Sequence, residues 1–134
     1  MRNPDRLEVL ERANELTDRT YAATATLPDS ERFNLVPQMR RAASAIGANI
    51  AEGCGRSTEL SFLSYLQNAM ASASEVEQHA SQCLRLAMGD DALLTEVLAL
   101  SRRVKMMLTK LQQAIRLRSA AQRRRKGPRS GPPG

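Results

Sequence analysis

The sequence is poor in the residues from which active sites and metal centres are most often built. Its 134 residues include no tryptophan, two tyrosines, two phenylalanines, two cysteines and one histidine. A di-iron bundle needs Glu-x-x-His pairs on facing helices, which the single His79 cannot supply. Cys54 and Cys83 fit no CxxC pattern, so we expect two free buried thiols rather than a zinc site. With no base positioned beside a nucleophile, we expect neither a cofactor nor catalysis.

Long apolar runs are also absent. No uncharged run is apolar enough to span a bilayer, and the charges in the first twelve positions argue against a secretory signal, so we expect a cytoplasmic protein. The apolar residues are mostly Ala, Leu, Met and Val, a composition that favours helices over sheets. A chain of 134 residues suits one domain.

Acidic residues are missing from the end of the chain. Residues 1–96 hold nine of the 20 Lys and Arg residues and all 14 acids, a balance of 9 − 14 = −5. Residues 97–134 hold the other 20 − 9 = 11 basic residues and no acid. This end of the chain is therefore the candidate for binding a polyanion.

Helical periodicity and breaker residues divide the chain into four helices. The first has a stripe of acids opposite an apolar side that includes Tyr21, and the connection after it offers Phe33 and Leu35 to close one end of a core. Gly89 allows only a tight turn before the last helix, so the third and fourth helices must lie antiparallel. We predict an all-α, up-down antiparallel four-helix bundle. The predicted boundaries are helices at about 4–25, 37–53, 58–88 and 91–117, which form a bundle domain over 1–118, and a basic disordered tail over 119–134.

Residues 37–56 form the most distinctive stretch. They predict a helix of small residues, which neighbouring helices can approach closely. Its predicted core face is Met39, Ala42, Ala43, Ile46, Ile50 and Gly53. Polar residues stand among the alanines, and we interpret them as pairing and interface residues rather than a ligand site, which remains the alternative. These structural residues are Arg41, Asn49, Glu52 and Arg56.

The fourth helix carries the candidate nucleic-acid site. Its predicted core line is Leu93, Val97, Leu100, Val104, Met107, Leu111 and Ile115. Basic residues occupy its outer face and the segment that follows, where they are suited to phosphates. The candidates are Arg102, Arg103, Lys105, Lys110, Arg116, Arg123, Arg124, Arg125 and Lys126. No aromatic residue is interleaved with them, so base stacking is not expected there. The alternative is that the acids of the first helix neutralise this face, within one subunit or between subunits.

Several motifs resemble a known family. The chain contains Leu27-Pro28, Gln38-Met39-Arg40-Arg41-Ala42, Asn49-Ile50-Ala51-Glu52-Gly53 and a matching run from Phe62 to Glu75. It resembles the four-helix-bundle family of proteins encoded in intervening sequences of large-subunit ribosomal RNA genes, over about residues 5–117. The resemblance implies a barrel-like homopentamer without known catalysis. It also implies kinship with accessory variability determinants of diversity-generating retroelements, which bind a reverse transcriptase and its RNA.

These observations favour one class of function over two others. We expect a non-enzymatic, oligomeric protein that binds RNA or DNA through its basic surface, with a reverse transcriptase as a further candidate partner. The alternative is a protein–protein scaffold with no direct role in nucleic-acid binding.

Overall fold

The computed structural model describes residues 4–126. Its helices are α1 (Pro4–Thr24), α2 (Leu35–Cys54), α3 (Glu59–Arg85) and α4 (Asp91–Lys126), with a short 3-10 helix at Asp29–Glu31. The described part of the chain has no strand, and the predicted all-α four-helix architecture is confirmed. None of these four helices is long and apolar enough to cross a membrane.

Each helix packs against two neighbours. The pairs in contact are α1 with α2, α2 with α3, α3 with α4, and α1 with α4, so that α2 and α4 lie diagonally opposite. Heptad-like spacing of buried residues on α3 and α4 supplies the shared core, as in other antiparallel bundles. This arrangement places surfaces on α2 and on α4 on different sides of the molecule.

Small residues on α2 permit close approach to both of its neighbours. The predicted core face of α2, from Met39 to Gly53, is buried throughout. A Cβ added at Gly47 would lie 3.0 Å from Asn14 Oδ1 of α1. One added at Gly53 would lie 2.7 Å from the Phe62 ring of α3. The predicted close approach of neighbouring helices to α2 is therefore confirmed at these two glycines.

Side-chain caps and one strained residue set the ends of α3 and α4. The Thr58 hydroxyl caps α3 by accepting a hydrogen bond from Ser61 N at 3.1 Å. At its other end α3 stops at Arg85, earlier than predicted, because Ala87 adopts a left-handed φ of 53°. Asp90 caps α4 through Leu93 N, and its own N–H donates to Thr26 at the end of α1.

The predicted end of α4 and the predicted tail are wrong for residues 119–126. The helix continues through Lys126 instead of ending near 117, because Ala, Gln, Arg and Lys are strong helix formers and the breakers Gly127 and Pro128 come only afterwards. Residues 127–134 of the predicted tail lie outside the described residues. The basic segment is thus the last part of a helix.

The buried line of α4 also differs from the predicted one. Leu94, Ser101 and Leu108 are fully buried, whereas Leu93, Leu100 and Met107 are only partly buried. The true line is Leu94, Val97, Ser101, Val104, Leu108, Leu111 and Ile115. At each of these three places the buried residue is one position later than the predicted one, which is a rotation of 100° around the helix axis.

Two aromatic residues lie outside the core, contrary to prediction. Phe33 is 87% exposed and Tyr21 is 45% exposed. Leu27 and Leu35 are buried instead, from the same connection between α1 and α2. Leu35 therefore closes this end of the core as predicted, and Phe33 does not.

Candidate nucleic-acid interface

Glu77 of α3 binds two of the basic residues on α4. Its two carboxylate oxygens accept hydrogen bonds from Arg102 Nε and Lys105 Nζ, each at 2.8 Å. These hydrogen bonds, that of Lys105 first and that of Arg102 second, hold the pKa of Glu77 below its ordinary value of 4.5. Both cations thus have a carboxylate partner inside the protein, although Arg102 remains largely exposed.

Replacing Glu77 with glutamine should lower the free energy of unfolding by about 1 kcal/mol at about pH 7, the typical value for two partly exposed ion pairs. The pKa of Glu77 is lower in the folded than in the unfolded state, so its contribution is present above pH 4.5 and disappears as the pH falls through the lowered pKa. Urea denaturation of the unaltered protein and of Glu77→Gln between about pH 7 and pH 3 measures this difference in the free energy of unfolding.

Glu75→Gln is the matched control for Glu77→Gln, because Glu75 is an exposed acid on the same helix whose one ion-pair contact among the described residues is with His79, at 3.7 Å. It should leave stability nearly unchanged. If the deficit of Glu77→Gln were equally large at pH 3, the pairing with Arg102 and Lys105 would not be its cause.

Glu59, at the start of α3, contacts two neighbouring residues in the C-terminal half of α4. It pairs with Arg118 at 3.2 Å and accepts a hydrogen bond from Ser119 Oγ at 3.1 Å. The remaining predicted binding residues with described side chains form no ion pair with any described carboxylate. They are Arg103, Lys110, Arg116, Arg123, Arg124 and Arg125. Lys126 is the last residue of the helix.

Of the acids of α1, Glu11 and Glu15 form ion pairs within α1. Arg12 lies 3.4 Å from Glu15, and Arg19 bridges Glu15 at 3.8 Å and Glu96 of α4 at 3.0 Å. The only ion pair found between the described parts of α1 and α4 therefore has its cation on α1. Within one chain, the described ion pairs therefore do not join acids of α1 to the basic face of α4, and neutralisation by α1 of a neighbouring subunit stays the alternative.

At one place acids of α1 do lie near cations of α4. Asp5 and Glu8 share a groove of about 490 Å³ with Arg103, Lys110 and the exposed Met106. The field of these two cations is consequently weakened by nearby negative charge. The strongest unpaired positive charge lies farther along α4, from Arg116 to the end of the helix.

The four predicted structural residues have separate roles. Glu52 and Arg56 form an ion pair at 3.5 Å, and Arg56 also lies over the Tyr65 ring. Asn49 Nδ2 donates to the carbonyl of Ala45 one turn earlier, at 2.8 Å. Arg41 is exposed on the outer side of α2. Glu52, Asn49 and Arg56 thus make local contacts.

Cys54 and Cys83 form no disulfide with each other, and only Cys83 has the burial predicted for both. Cys83 is buried and Cys54 half-buried, and burial raises the pKa of both thiols. In the described residues, no group of three or more His, Cys, Asp or Glu side chains is arranged to hold a metal ion.

A second basic surface, not predicted from the sequence, lies where α1 meets α2. It is a shallow depression of about 520 Å³ lined by Tyr21, Phe33, Arg32, Arg40 and Arg41, among others. We call it the aromatic–arginine patch. The neighbouring Arg40-Arg41 pair and the lone Phe33 were visible in the sequence. Their proximity to Tyr21 depends on how α1 and α2 pack.

Comparison with known proteins places the fold and the family. A crystal structure from Bacteroides thetaiotaomicron, described as a protein with unknown function from the S23 ribosomal protein family, matches with a TM-score of 0.74 at 20% sequence identity. The match covers 81% of this chain and 98% of that one, and at this identity it shows a shared fold. No curated protein matches the sequence. A profile of the family described as 23S rRNA-intervening sequence protein matches residues 5–110. Since that match spans most of the bundle, the chain belongs to the 23S rRNA-intervening sequence protein family.

Proposed function

We propose that this protein binds RNA or DNA, without catalysing a reaction, through the C-terminal half of α4. The observation that carries the proposal is that five cations in this half form no ion pair with any described carboxylate. They are Lys110, Arg116 and the three consecutive arginines Arg123, Arg124 and Arg125. Phosphate contacts by such cations give affinity without sequence preference. The family description links this class of protein to 23S rRNA, which supports RNA as the polyanion.

The proposal includes assembly and location. On the resemblance described above, we propose a cytoplasmic homopentamer in which five copies of the basic surface add their fields. A reverse transcriptase is a candidate protein partner on the same ground. Arg41, which is exposed on α2, is available for contacts between subunits or with a partner.

Sedimentation velocity with a fluorescently labelled structured RNA tests binding and assembly together. The protein alone should sediment as an oligomer at micromolar concentration, and it should carry the RNA with it at about 50 mM salt. If these five cations each contact a phosphate, affinity should fall by roughly two to three orders of magnitude between about 50 and 200 mM salt.

Three results would count against parts of this proposal. A monomer at micromolar concentration would contradict the assembly. An affinity that does not depend on salt would contradict phosphate binding. Absence of RNA binding at about 50 mM salt would favour the scaffold alternative, in which α4 contacts another protein.

A further inference from the structure

The aromatic–arginine patch presents its rings from an ordered part of the chain. Phe33 lies between the 3-10 helix and α2, where Arg32 N donates to Asp29 O at 3.1 Å and Asn34 N donates to Glu31 O at 3.1 Å. The Asn34 side chain bridges Glu31 and Gln38. The 87% exposure of Phe33 is thus a property of a hydrogen-bonded turn with buried Leu35 beside it.

Arginines accompany both exposed rings. The Arg32 guanidinium lies 5.2 Å from the centre of the Phe33 ring, and that of Arg40 lies 4.6 Å from the centre of the Tyr21 ring. Arg40 is held there because its Nε donates to Thr24 Oγ1 at 2.9 Å. Arg41 is exposed in the same depression. The patch therefore combines two accessible rings with three guanidinium groups.

Charge determines what such a patch can accept. Its lining residues include three arginines and no carboxylate. An occupant that matches it must supply negative charge for the guanidinium groups and flat faces for Tyr21 and Phe33. Unpaired nucleotides supply both, because phosphates pair with arginine and bases stack on aromatic rings and on guanidinium planes. In a duplex the base faces are already stacked on one another, so a duplex offers only the charge.

We propose that the aromatic–arginine patch binds single-stranded RNA by stacking unpaired bases on Phe33 and Tyr21. This site is separate from α4, since α2 lies diagonally opposite α4 in the bundle. The inference extends the proposed nucleic-acid binding and rests on it. Together the two surfaces distinguish the RNA they accept: α4 binds the backbone of any RNA, and the patch requires a single-stranded segment.

The test compares a 15-nucleotide oligo(U) with an RNA duplex of about 15 base pairs, using the full chain and fluorescence anisotropy at low salt. Phe33→Ala should weaken oligo(U) binding roughly five-fold or more, the range for loss of one base–aromatic stack, and change duplex binding less than two-fold. Leu86→Ala is the matched control, because Leu86 is also an exposed large apolar residue but lies at the end of α3. It should bind both probes as the unaltered protein does.

Phe33→Trp supplies a direct readout. The sequence has no other tryptophan, so emission reports on this position alone. Tryptophan retains the flat ring, and oligo(U) should therefore bind Phe33→Trp at least as tightly as the unaltered protein and quench its emission. The same oligomer made of deoxyribonucleotides shows whether the patch prefers RNA, and an equal quench by DNA would contradict the RNA assignment.

Several outcomes overturn the inference without touching the proposed role of α4. The first is that Phe33→Ala binds oligo(U) as tightly as the unaltered protein does, and the second is that it loses affinity for oligo(U) and for the duplex equally. The third is that oligo(U) leaves the tryptophan emission of Phe33→Trp unchanged. If Phe33→Ala altered the sedimentation coefficient of the protein in the absence of RNA, the occupant would be a second copy of the chain. Unchanged duplex binding on changing α4, with the effects at Phe33 intact, would instead contradict the role of α4 and leave the patch standing.

Discussion

Replacing Arg123, Arg124 and Arg125 together by glutamine should weaken RNA binding by roughly 100- to 1,000-fold at about 50 mM salt. The three residues lie on the last two turns of α4 and are exposed, with no ion pair to a described carboxylate. Each lost phosphate contact removes the release of about one counterion, so the slope of log affinity against log salt should become shallower by about 2 to 3. Glutamine is nearly as good a helix former as arginine, so α4 itself should persist.

A control with the same net charge separates local contacts from the overall field. The triple variant Ala51→Glu, Ala71→Glu and Gln78→Glu also lowers the net charge by three, at exposed positions on α2 and α3. It should weaken binding much less and leave the salt slope nearly unchanged. Equal losses for the two triple variants would mean that only the net charge of the protein matters, and would contradict a binding site on α4.

Adding one methyl group at Gly53 should lower the free energy of unfolding by about 2 kcal/mol, the cost of overpacking a tight contact. The Cβ of Gly53→Ala would lie 2.7 Å from Phe62 Cδ1 and 2.9 Å from Tyr65 Cβ, so α2 and α3 would have to separate. The better helix propensity of alanine offsets only about 0.5–1 kcal/mol of this. Thermal and urea denaturation measure the difference.

Gly55 supplies the comparison two residues later. It has a right-handed φ of −85°, and an added Cβ would meet nothing closer than the Glu52 carbonyl at 3.5 Å. Gly55→Ala should therefore be neutral or slightly stabilising. If the two variants were equally stable, the close approach of α2 and α3 at Gly53 would not be needed for stability.

The parts of the fold that follow from periodicity were predictable. The core face of α2 came directly from spacing, because only one side of that helix carries the larger apolar residues. On α4 two adjacent lines were both partly apolar. Ser101 stood on the true line, and a serine argues against burial unless its hydroxyl has a partner. Here its Oγ donates to the carbonyl of Leu98 at 2.8 Å, which the sequence does not reveal.

The candidate sites were predictable only in part. That α4 is basic follows from counting charges. Which cations are neutralised depends on Glu77 and Glu59 facing α4 across a helix boundary, and therefore on the rotation of α3. The aromatic–arginine patch was missed for a similar reason. Tyr21 and Arg40 are 19 positions apart and meet only through the pairing of α1 with α2.

The circular order of helix contacts has a consequence for folding kinetics. Three of the four helix pairs join neighbours in the chain, but α1 meets α4 only by closing a long loop, as in the Arg19–Glu96 contact across 77 positions. Relative to a closure of about ten residues, this is three doublings of loop length and costs roughly 2 kcal/mol more chain entropy. We expect α1 to dock on α4 last and to detach first, so that amide hydrogen exchange is faster along α1 than along α3.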